Sequence, residues 1–159
     1  MKVTILCVGR IKEKYFTDAC AEYTKRLSKF CDLSICEVLD EKTPDGASEA
    51  ENLKIKDTEG KRIISKIPKG AFVYTLEIGG KAPDSVALSE EISKEMSKGK
   101  SHLCFIIGGS LGLSPEVIGL SNYHLSFSKL TFPHQLMRVI LLEQLYRSFK
   151  IMAHEPYHK

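Results

Sequence analysis

An apolar run, Leu103 to Ile107, opens directly into Gly108, Gly109, Ser110, Leu111 and Gly112, and this junction constrains the fold more than any other stretch of the chain. A strand with no polar position has to be covered on both faces, as a central strand is in a parallel sheet flanked by helices. Glycines at its carboxyl end let a ligand approach the backbone closely. Other segments supply partners for such a strand. Lys2 to Val8 is rich in β-branched residues and closes on Gly9, while Leu33 to Leu39, Ala71 to Ile78 and Tyr123 to Phe127 read as three more strands. The third of the five strands in chain order runs into Gly79 and Gly80, which reads as a second glycine loop.

Helices fall between the strands. Phe16, Cys20, Tyr23, Leu27 and Phe30 are spaced four, three, four and three residues apart, one core-facing stripe of an amphipathic helix. Ser48 caps a helix reaching about Ile67, ahead of Pro68 and Gly70. Ser85 to Lys98 forms another, stopped by Gly99, and Ser114 and Pro115 open a short one at its cap and first position. The alternation predicts an α/β fold, a mainly parallel sheet covered on both faces, in one domain over residues 1–159.

A chain of 159 residues buries a sufficient core without disulfides or metal. Its five cysteines (Cys7, Cys20, Cys31, Cys36, Cys104) are odd in number and form no C-x-x-C pair, which predicts buried thiols in a reducing, cytoplasmic compartment. No apolar stretch is of membrane-spanning length, and Met1 leads straight into a strand, so neither anchor nor signal peptide is expected. Charge is uneven. Residues 40–100 hold 12 acidic and 11 basic side chains, and residues 101–159 hold 3 and 5 together with all five histidines, a distribution that permits an RNA-binding face without requiring one. Arg10, Lys12 and Lys14 crowd the turn after the first strand, where solvation is the simpler reading and a phosphate contact the alternative.

The segment from His134 to Met152 reads as a helix with no polar face, because Leu136, Met137, Val139, Ile140, Leu141, Leu142, Leu145, Tyr146, Phe149 and Ile151 surround it. Such a helix is buried in a core or in a subunit interface, and in a chain this small an interface is expected. Glu143 lies four residues before Arg147 and pairs with it. Arg138 sits over His134 in the first turn, and both are expected to face the loop from Phe127 to Pro133.

Three stock motifs are excluded. GGSLG is not G-x-G-x-x-G and does not follow the first strand, and Gly79-Gly80-Lys81 lacks the upstream glycine of a phosphate loop. His154 to His158 spells H-E-x-x-H, but Pro156 within it prevents both histidines from sharing a helical face, so no metal site is expected.

GGSLGLS, LSFSKLTFPHQLMRVILLEQLYRSFKI and the terminal YHK, with the opening KVTILCVGRIK, together resemble the RlmH family of SPOUT-class methyltransferases. The resemblance covers the whole chain. It implies a C-terminal trefoil knot, a homodimer, and transfer of a methyl group from S-adenosylmethionine to N3 of a pseudouridine in 23S rRNA of the assembled ribosome. By motif it assigns cofactor contacts to Leu76, Gly108, Phe127, Ser128, Lys129, Leu130, Thr131 and Phe132. It makes His158 the first choice for a catalytic group, with Tyr157, Lys159 and Arg138 toward the RNA. The alternatives are a non-catalytic module that binds RNA or the ribosome, and a SPOUT enzyme acting on tRNA.

Overall fold

The strand that opens into the glycine loop, β4 (His102–Ile107), is third of five in the sheet. In the computed structural model, which describes residues 1–159, the sheet order is β2-β1-β4-β3-β5, with β1 (Lys2–Val8), β2 (Asp32–Val38), β3 (Phe72–Lys81) and β5 (Tyr123–Leu125). Every pairing is parallel. Helices α1 (Lys14–Leu27), α2 (Glu49–Ile64), α3 (Ser85–Ser97), α4 (Pro115–Gly119) and α5 (His134–Met152) connect and follow the strands.

Strand periodicity divides the core into two layers. Val3, Ile5 and Cys7 of β1, with Leu103, Phe105 and Ile107 of β4, pack with buried side chains of α1, α3 and α5. Leu6 and Val8, with Cys104 and Ile106, face Ile63 of α2 and Val117 of α4. On the first side α5 lies between α1 and α3 and buries Leu141, Leu142, Leu145 and Phe149. Each fully buried leucine there contributes about 2 kcal/mol from apolar area removed from water.

The helix starts follow the expected chemistry. Ser48 and Glu51 form a reciprocal capping box on α2, and Ser114 caps α4 ahead of Pro115. Four cysteines are buried, Cys36 is half-buried, and all five are free. No helix is long and apolar enough to cross a membrane.

Two boundaries differ from the sequence reading. Gly79 and Gly80 do not form a loop: β3 continues through them to Lys81, with a register shift against β5 between Leu76 and Lys81. A Cβ on Gly80 would lie 2.8 Å from the backbone carbonyl of His124. That glycine therefore admits a neighbouring strand, a need that looks the same in sequence as a turn. The fifth strand ends at Leu125, and Phe127 belongs to the loop beyond it.

Candidate active site

The carboxyl ends of β3, β4 and β5 surround a cavity of about 740 Å³, a size and position typical of small-molecule sites in parallel sheets. Its walls are Leu76, Glu77 and Ile78 from β3, the stretch from Ile107 to Leu113, and Phe127, Ser128 and Leu130 to Gln135 from the loop before and into α5. Seven of the eight residues assigned to the cofactor by resemblance, Leu76, Gly108, Phe127, Ser128, Leu130, Thr131 and Phe132, line this one cavity. Lys129 does not.

The polar lining combines side chains of Glu77, Ser110, Ser128, Thr131, His134 and Gln135 with the backbone of the loop. No residue from Phe127 to Phe132 makes a backbone–backbone hydrogen bond. Only local side-chain bonds hold that loop: Ser128 Oγ accepts from Leu130 N at 3.0 Å, and Ser126 Oγ donates to Ser128 O at 3.1 Å. The remaining amides and carbonyls are open to a ligand. Gly108 is tightly enclosed, since a Cβ there would meet the carbonyl carbon of Gly112 at 2.8 Å. Leu130 stands 69% exposed at the lip.

Glu77 and His134 are the only titratable side chains in the lining. Glu77 accepts from Thr75 Oγ1 at 2.6 Å and contacts His124 Nδ1, so it is held against the wall. His134 is shifted toward its neutral form, first by burial and then by the Arg138 guanidinium, with Asp40 and Glu13 opposing. Mostly apolar walls, with the Glu77 carboxylate engaged by Thr75 and His124, and free backbone groups suit the adenosyl and amino-acid portions of S-adenosylmethionine, and no cluster of cations is present that would suit a nucleoside triphosphate.

Arg138 corrects an expectation. It does not face the loop: it is 3% exposed, and its guanidinium donates to Glu37 Oε1 at 2.5 Å and to Gly9 O at 3.2 Å. The reason is the rise of the helix and not its phase: about one turn beyond His134 on the same face, the guanidinium is taken up by Glu37 of β2 and the Gly9 carbonyl after β1. Sequence spacing places both residues on one face without revealing the acidic partner, 101 positions earlier.

The tail lies elsewhere. After α5 ends at Met152 the chain turns back through His154, whose φ of 54° is left-handed, and Glu155 N bonds to Lys150 O. Tyr157 packs edge-on to Tyr146 with ring centroids 4.9 Å apart, lies 4.7 Å from the Arg147 guanidinium, and donates to Glu143 Oε1 at 3.1 Å. Burial, then contacts with Tyr23 and Glu143, push its phenol up to about 12. Glu143 also receives both Arg147 Nε at 3.0 Å and Arg147 Nη2 at 2.5 Å. His158 Nδ1 lies 3.4 Å from Arg147 Nη1, and both His158 and Lys159 are exposed. Since the tail folds back onto α5 at Glu143 and Arg147, 9 and 13 residues beyond His134, it stands roughly 14 to 20 Å along the helix from the cavity at about 1.5 Å per residue. The helix read from the sequence between loop and tail already implies a separation; the fold-back of the tail onto Glu143 and Arg147 is what the sequence does not show.

A family described as "Predicted SPOUT methyltransferase" matches residues 1–158. The chain belongs to this family. It is 56% identical over 159 residues to the "Ribosomal RNA large subunit methyltransferase H" of Clostridium novyi (strain NT), and equally to that of Bifidobacterium animalis subsp. lactis (strain AD011), with 100% of each chain covered. The same name is carried by a 55% identical relative from Clostridium tetani (strain Massachusetts / E88), again over full length. Among solved structures, "a probable methylase family protein from Haemophilus influenzae Rd KW20" superposes with a TM-score of 0.52 at 12% identity, over 99% of this chain and 70% of that one. That likeness supports the SPOUT fold alone.

Proposed function

We propose that this chain transfers a methyl group from S-adenosylmethionine to N3 of a pseudouridine in 23S rRNA of the assembled ribosome, as a homodimer with a knotted C-terminal segment. The observation that carries the reading is the cavity walled by the glycine loop and by a loop whose backbone groups are free, in a chain 56% identical end to end to named ribosomal RNA methyltransferases. Once bound, the cofactor supplies an electrophilic methyl group on a sulfonium. Leu76, Gly108 and the stretch from Phe127 to Phe132 would hold it, with Lys129 acting through its backbone or toward the RNA.

The tail supplies what the cavity lacks. The acceptor nitrogen must shed a proton, and His158, with Tyr157 and Lys159 beside it, is the group assigned to that part of the reaction. Seated against Arg147, roughly 20 Å along α5 from His134, it does not serve its own cavity, so a partner's tail completes each site. Leu136, Ile140 and Ile151 of α5 are half-buried and belong to neither core cluster, which leaves apolar surface for that partner. As a base, His158 uses the Nδ1 lone pair now directed at Arg147, so RNA binding has to open that long contact. Held closed, the ring instead offers Nε2–H to a uracil carbonyl and only orients the base. Arg138, neutralised beneath the sheet end by Glu37, supports the fold and does not contact RNA.

The test is labelled-methyl transfer to ribosomes, separated subunits and free rRNA, with and without the pseudouridine, alongside calorimetry of cofactor binding. Transfer confined to pseudouridine-containing ribosomes is the expected result, and Gly108→Val should abolish cofactor binding. Binding of RNA without transfer would favour a non-catalytic module, and transfer to tRNA would reassign the substrate.

A further inference from the structure

Behind the glycine loop, on the side away from the cavity, α2 presents a carboxyl group that the reaction outlined above leaves unused. Glu59 is only 4% exposed, and its Oε2 has no hydrogen-bond partner. It is seated against Gly109, where a Cβ would fall 2.8 Å from Oε2, 3.2 Å from Oε1 and 3.1 Å from Val8 Cγ1. The next residue, Gly60, approaches the far end of the same loop so closely that a Cβ would meet Ser114 Oγ at 2.3 Å. Thr43 Oγ1 lies 3.4 Å from Ser110 Oγ, and Arg62 ties the segment carrying Thr43 to α2 through Glu41 and, at 2.9 Å, Leu39 O. The glycine loop is thus backed at Gly109 and Ser114 by adjacent residues of one helix.

We infer that Glu59 is a positioning residue for the cofactor loop, its carboxyl wedged against Gly109 and holding the stretch from Gly108 to Ser110 in its binding shape. This rests on the proposal that S-adenosylmethionine occupies the cavity. The charged groups facing Glu59 are Asp40 and Glu41 from the segment after β2 and Arg62 from its own helix. Burial first, then Asp40 and Glu41, push the carboxyl up to about 7, and the backbone N–H of Glu41 and the Arg62 guanidinium offset this only in part. Arg62 is already engaged by Glu41 and Leu39, so ionised Glu59 would be a poorly compensated charge behind a backbone loop that has to stay in place.

The sign follows from linkage. A carboxyl raised above its ordinary value holds its proton in the fold after the unfolded chain has lost it, so stability declines as pH rises from about 4.5 to about 7. Cofactor affinity should then fall about tenfold from pH 7 to pH 8.5 as the wedge ionises.

The experiment is calorimetric titration of S-adenosylmethionine from pH 6 to 8.5 into wild type and Glu59→Gln, read as the ratio of their affinities, which cancels titration of the ligand's own amino group. The expected ratio is near one at pH 6 and about twenty in favour of Glu59→Gln at pH 8.5, with the decline in melting temperature across pH 4.5 to 7 also reduced in that variant. A second pair of variants tests the contact itself: Gly109→Ala should weaken binding about tenfold or more, and adding Glu59→Ala should recover part of the loss by removing the clash. If wild type binds but the ratio stays flat with pH, or if the two substitutions prove additive, the role of Glu59 is overturned while the cavity assignment stands. If wild type binds no cofactor at any pH, the cavity assignment falls and this inference falls with it.

Discussion

The two ends of α5 are built from different materials. At its start, the loop from Phe127 to Phe132 and the glycine loop make a cavity of apolar walls and free backbone groups, with His134 kept toward neutrality. Along its second half, Glu143 and Arg147 with Tyr157 and His158 of the tail form a cluster of charges and ring contacts. The first suits holding a small organic cofactor, which needs shape and backbone hydrogen bonds rather than charge. The second suits handling a proton and an anionic polymer. One chain holds both but cannot bring them together across the length of its own helix.

The sharpest way to break this division is to remove the tail. His158→Ala should lower methyl transfer by about 10² to 10⁴, the usual range for loss of a general base, while cofactor affinity and melting temperature remain at wild-type values. If the histidine only orients the base, the loss is smaller and the pH dependence of transfer is unchanged. Near wild-type turnover after deletion of Tyr157 to Lys159 would refute both roles. A smaller effect separates support from site at the other end. Arg138→Met should lower unfolding free energy by about 2 kcal/mol, because Glu37, about one-third exposed, loses its partner but keeps access to water. Equilibrium denaturation measures this. Loss of RNA binding with full stability would contradict the structural role given to Arg138.

Local chemistry made most of the fold legible in the sequence. The all-apolar stretch from Leu103 to Ile107 identified the central strand, Ser48 and Ser114 marked helix starts, and Glu143 announced its pairing with Arg147. Features set by long-range geometry were not legible. Glycine at position 80 serves the close approach of β5, and nothing local distinguishes that from a turn. Arg138 finds Glu37 only because β2 lies at the sheet edge beside β1. Glu59 reads as one more surface acid of a polar helix until its contact with Gly109 is seen. The cavity residues came from the resemblance, and the fold-back of the tail onto Glu143 and Arg147 came from neither resemblance nor spacing.

Whether one protomer's cavity works with its partner's tail is decided by complementation between two inactive variants. Gly108→Val removes the cavity and leaves the tail, and His158→Ala does the reverse. Co-expressed at equal levels and exchanged at random, half the dimers pair one of each, and every such dimer holds one intact composite site. A site shared between protomers recovers about a quarter of wild-type methyl transfer to ribosomes. Activity no higher than that of the weaker homodimers, in a preparation shown by differential tagging to contain the mixed dimer, would contradict it.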